Sequence, residues 1–82
     1  MSTYVITPRS EAECNQLRSI LHSAGRVPSF AWQDPISVGK DVVCFGEYVK
    51  DFHTNVGRDV IDELIGVMRL TVNQLRSKLK PL

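Results

Sequence analysis

At 82 residues the chain has room for one domain, close to the lower limit at which a single hydrophobic core suffices. Its 43% hydrophobic and 23% charged residues argue against disorder, and no apolar run is long enough to span a membrane. A net charge of +1 gives no overall basic field for nucleic acid, and two cysteines are too few for a disulfide scaffold.

Thr3-Tyr4-Val5-Ile6-Thr7 is rich in β-branched and aromatic residues and predicts a strand that Pro8 ends. Ser10-Glu11-Ala12-Glu13 has the S-x-x-E form of a capping box, with Thr7 before Pro8 as the alternative cap. The helix that follows places Cys14, Leu17, Leu21 and Ala24 on one side, widened by Ile20. Gly25 supplies its stop, with Pro28 beyond.

Phe30 and Trp32 alternate with Ala31 and Gln33 as in a short strand, which Asp34-Pro35 breaks or sets at an edge. Val38-Gly39-Lys40-Asp41 has the composition of a tight turn. Asp41 to Val49 then predicts a second arm, with Val42, Val43, Cys44 and Phe45 mostly buried and Gly46 marking a bulge. Together these two arms make a hairpin.

The last predicted element is a helix that begins between Asn55 and Asp59 and runs to about Lys80, ahead of Pro81. It carries the most regular pattern in the chain. Ile61, Ile65, Met68, Val72, Leu75, Leu79 and Leu82 follow one another in alternating steps of four and three residues. That spacing keeps one helical seam facing a partner. Val60, Leu64 and Val67 widen the first half, so the early turns suit a sheet and the late turns suit a second helix. Gly66 inside this helix costs about 1 kcal/mol against alanine, which makes close packing there the expected reason for it. The expected architecture is a single α+β domain over residues 1–82. It is a small two-layer sandwich, strand-helix-strand-strand-helix, with a long C-terminal amphipathic helix.

The residues able to do chemistry form no recognisable motif. Cys44 or Cys14 with His53 or His22 would be needed for a small cysteine-dependent enzyme. Val42-Val43-Cys44-Phe45 instead resembles a buried strand, and Cys14 lies on the apolar side of its helix, where a thiol acts as a small hydrophobe. The same four residues lack the paired spacings of a zinc site. Asp59, Asp62 and Glu63 at a helix start are accounted for by the helix dipole. Gly39-Lys40 lacks the rest of a phosphate loop, and Gly57 before Arg58 is only a faint sign of an anion at a helix start. No cofactor and no metal are expected.

The expected function is therefore a small non-enzymatic protein-binding domain that occupies the surface of another protein as an inhibitor or adaptor. Compact inhibitors encoded by phages and mobile elements share this profile of size. Met68, Val72, Leu75 and Leu79 are the expected homodimer seam. Phe30, Trp32 and Gln33 are the expected partner contact, since aromatics dominate binding hot spots. The alternative is a nucleic-acid-binding regulator with Arg69, Arg76, Lys78 and Lys80 on the phosphates. No membrane association is expected, and with no secretory leader evident the expected location is the cytoplasm.

Overall fold

The computed structural model describes residues 3–28, 36–45, 51–54, 58–64 and 66–81. Their order is β1 (Thr3–Ile6), α1 (Glu11–Ser23), β2 (Val27–Pro28), β3 (Val42–Phe45), β4 (Asp51–Thr54), α2 (Arg58–Glu63), β5 (Val67–Leu70) and α3 (Val72–Lys78). The α+β class expected from the sequence holds. The five strands form one mixed sheet in the order β2-β4-β3-β1-β5. β1 pairs antiparallel with β3 and parallel with β5, β3 pairs antiparallel with β4, and β2 runs parallel to β4.

Local chemistry sets the element boundaries. α1 starts where the Ser10 hydroxyl accepts the Glu13 amide at 3.2 Å, and Glu11 and Glu13 place negative charge in the first turn. It ends in a Schellman closure. Gly25, at a φ of 73°, donates to the His22 carbonyl while Arg26 donates to that of Leu21. Ahead of β3 the chain turns at Val38-Gly39, with the Lys40 amide on the Ser37 carbonyl and Gly39 at a φ of 79°.

The sheet is covered on both faces. Ile6, Val42, Cys44 and Phe52 point to one face and pack with Cys14, Leu17 and Leu21 of α1 and with Val72 and Leu75 of α3. Val5 and Val43, one residue out of step, point to the other face and pack with Ile61 of α2. Successive residues of β1 and β3 thus serve separate cores, as the two-residue period of a strand dictates. The expected two-layer arrangement is corrected here, because α2 adds a layer on the face away from α1 and α3.

The long C-terminal helix is also corrected. In its place the chain forms α2, then β5, then α3. Two residues explain the division. Gly66 adopts a φ of 75°, in the left-handed region that no helix interior contains. Thr71 then opens a new helix through a complete capping box. Its hydroxyl accepts the Gln74 amide at 3.2 Å, and its own amide donates to Gln74 Oε1 at 2.9 Å. Between these, Val67–Leu70 lies beside β1 in parallel register, Thr3 opposite Val67 and Ile6 opposite Leu70. The strand expected in the second arm forms as β3, but the expected hairpin pairing is corrected, since β3 has β1 on one side and β4 on the other. Phe30 to Gln33 and Gly46 lie outside the described residues.

Candidate functional site

The sheet has two edges of different character. Among the described residues β2 spans two positions, and its Pro28 has no amide hydrogen to offer a further strand. β5 is twice that length, and among the described residues nothing pairs with its outer side. Its side chains alternate. Leu70 packs on the core between α1 and α3, and Val67 packs on the α2 face beside Val5 and Val43. Met68, on the same face as Leu70, is 39% exposed, and Arg69 is exposed on the α2 face. An unpaired strand with an exposed apolar side chain is a template for another strand.

The residues expected at the seam are divided by this arrangement. Val72, Leu75 and Leu79 are buried within the chain's own core, whereas Met68 is exposed. Ile61 is buried in the second core, and Ile65 and Leu82 lie outside the described residues. Phe30, Trp32 and Gln33 also lie outside them. Arg76, Lys78 and Lys80 are exposed on and after α3, but Arg69 projects on the opposite face of the sheet. The four basic residues therefore do not form one track.

The cysteines and histidines are likewise separated. Neither Cys14 nor Cys44 is in a disulfide, and both are buried in the core between α1 and the sheet. Burial pushes the Cys44 thiol up to about 12, although the nearby Arg26 charge opposes the shift. His53 sits opposite Val43 and so faces the α2 side, edge-on to Phe45 with ring centres 5.7 Å apart. Cys44 and His53 thus point to opposite faces of the sheet. Among the described residues no three His, Cys, Asp or Glu side chains gather in a way that would hold a metal ion.

Past the carboxyl ends of the parallel strands β1 and β5 lies an open cleft of about 650 Å³. Arg9, Glu13 and Gln16 line it on one side, and Arg69, Thr71 and Asn73 on the other. Sequence reading missed this juxtaposition. Arg9 and Arg69 are distant in the chain and border one cleft only because β5 lies beside β1. The available signal was the T-x-x-Q cap at Thr71, which implies a helix start within the supposed long helix.

Comparison with protein-family models, with curated proteins and with solved structures returns no match. Among the described residues no helix is long and apolar enough to cross a membrane.

Proposed function

We propose that this chain is a non-enzymatic protein-binding domain that pairs through the outer edge of β5. The observation that carries the reading is the exposure of Met68 on a four-residue edge strand whose outer side has no partner among the described residues. Strand addition supplies backbone hydrogen bonds along the edge and leaves alternate side chains to set specificity. A second copy is the first partner this edge fits. In an antiparallel two-fold pairing centred on Arg69, like charges stand directly opposite each other, which is unfavourable. Centred on Met68, the same pairing joins two apolar side chains. Homodimerisation is thereby assigned to the strand rather than to α3, whose apolar residues are already used in the core.

Occupation of another protein's surface, with Phe30, Trp32 and Gln33 as contacts, is the wider part of the proposal. It is supported by the small size of the chain and by two deeply buried thiols, which are poor nucleophiles. The deciding experiment is solution mass by light scattering during size exclusion, over a concentration series, for the parent chain, Met68→Lys and Val60→Lys. Val60 is exposed on α2, outside β5. The reading requires a dimer that Met68→Lys reduces to a folded monomer and Val60→Lys leaves intact. A parent chain that is monomeric at every concentration removes the self-pairing.

A further inference from the structure

We propose that the cleft past the carboxyl ends of β1 and β5 binds a small phosphate ester, gripped by the guanidinium groups of Arg9 and Arg69. The topology creates the place. The parallel strands β1 and β5 end side by side, β1 leading through residues 7–10 into α1 and β5 through Thr71 into α3, and the cleft lies between these two connections.

The arginines supply the charge. Elsewhere in the chain Arg18 and Arg26 spend a guanidinium nitrogen on a main-chain carbonyl, on Ile36 and Phe45 respectively, at 2.7 Å each. The guanidinium groups of Arg9 and Arg69 have no hydrogen-bond or ion-pair partner among the described residues, and both residues border the same hollow. Each carries a permanent charge on a planar fork that matches phosphate oxygens. Among the described residues Glu13 is the one acid in the lining, so the two arginines leave the cleft a net charge of +1, which favours an anionic group such as a phosphate.

Size and the remaining polar groups define the rest of the ligand. A volume of about 650 Å³ falls within the range of small-molecule sites, about 300–1,000 Å³, and far exceeds a bare phosphate. The Glu13 carboxylate accepts hydrogen bonds only, whereas the Gln16 and Asn73 amides both donate and accept. A body bearing hydroxyl groups satisfies that set. The class is thus a sugar phosphate or a nucleoside monophosphate.

The walls are fixed before any ligand arrives. The Ser10 cap and the Thr71–Gln74 capping box hold the two helix starts. The Gly39 amide donates to the Pro8 carbonyl at 2.9 Å, and Thr7 is bound to Asp41. Preformed walls lower the ordering cost of binding.

The test is titration calorimetry on the full chain at constant ionic strength. The probes are AMP, ribose 5-phosphate and inorganic phosphate, with adenosine as the uncharged control. Arg9→Gln, Arg69→Gln and Arg76→Gln are compared, each checked for an unchanged melting temperature. Loss of a charge-assisted contact should weaken AMP or ribose 5-phosphate about tenfold or more in Arg9→Gln and in Arg69→Gln. Arg76→Gln should bind as the parent does. Absence of binding by all three phosphate probes overturns the proposal, as does equal affinity for adenosine and AMP, or unchanged affinity in both cleft variants. A duplex oligonucleotide that binds and is not displaced by AMP assigns the phosphate contact to nucleic acid and also overturns it. Amide shifts on AMP addition provide the second readout. Shifts centred on the turns at Thr7 to Glu13 and Arg69 to Gln74 support the site, and shifts centred elsewhere overturn it. The inference stands apart from pairing at β5, because its readout is ligand binding rather than mass.

Discussion

The hydroxyl of Thr7 donates a hydrogen bond to the carboxylate of Asp41, joining the end of β1 to the residue before β3. The two are 34 positions apart, and Asp41 is buried. A buried carboxylate deprived of its donor keeps the cost of desolvation without the compensating bond. Thr7→Val, which preserves shape, should lower stability by about 2 kcal/mol in urea unfolding. Asp41→Asn retains an acceptor oxygen and should cost less than Thr7→Val. The reverse order would show that the bond does not hold this corner.

Leu75 and Ile61 are both fully buried, but on opposite faces of the sheet. Each to alanine should cost about 2–5 kcal/mol. Because they share no cluster, the double variant should equal the sum within about 0.5 kcal/mol. Leu75→Glu should abolish the fold rather than give a folded monomer, since a charge at that depth has no partner. Circular dichroism and urea midpoints distinguish these outcomes.

Gly66→Ala gives a test by sign. Inside a continuous helix the change would stabilise by about 1 kcal/mol. At a φ of 75° it should instead destabilise by about 1–2 kcal/mol, because the added Cβ crowds the carbonyl in the left-handed region. A stabilised variant would restore the uninterrupted helix.

That residue also shows where the sequence stops being legible. β1, the α1 cap at Ser10 and the stop at Gly25 were readable because each depends on neighbours in the chain. Alternating steps of four and three are a helical signature only if the backbone is helical throughout. Here Ile61, Val72, Leu75 and Leu79 are buried as the pattern implied, but from two helices on opposite faces. Val67–Leu70 holds one β-branched residue beside three good helix formers, and it becomes a strand because β1 offers a parallel edge, a tertiary fact. The Thr71 and Gln74 signal was present and was outweighed by the longer periodicity. The Arg9–Arg69 cleft was invisible for the same reason, since it exists only once β5 lies beside β1.

Cys44 gives a pH prediction. An exposed thiol of the unfolded chain ionises near 9.0, whereas burial holds the folded thiol neutral until about 12. The folded value is the higher one, so the stability it confers is fully present below pH 9.0 and is lost as pH rises toward 12. Urea midpoints should therefore fall more steeply above pH 9.0 in the parent than in Cys44→Val. Equal slopes would mean that the thiol is not held neutral. Alkylation of Cys44 at neutral pH should be slow until denaturant is added.

The unequal edges have a consequence for copy number. A sheet that joins others at one side only is used up by a single meeting, so pairing through β5 would end at two copies and could not continue into a fibre. What limits growth is then not the adhesive strand but the opposite edge, where Pro28 lacks an amide hydrogen. Pro28→Val restores an amide there and should turn a self-terminating pair into an open-ended series, seen as a mass that climbs with concentration. On that view the proline at the far side of the molecule governs how many chains assemble, although it touches none of the surface that joins them.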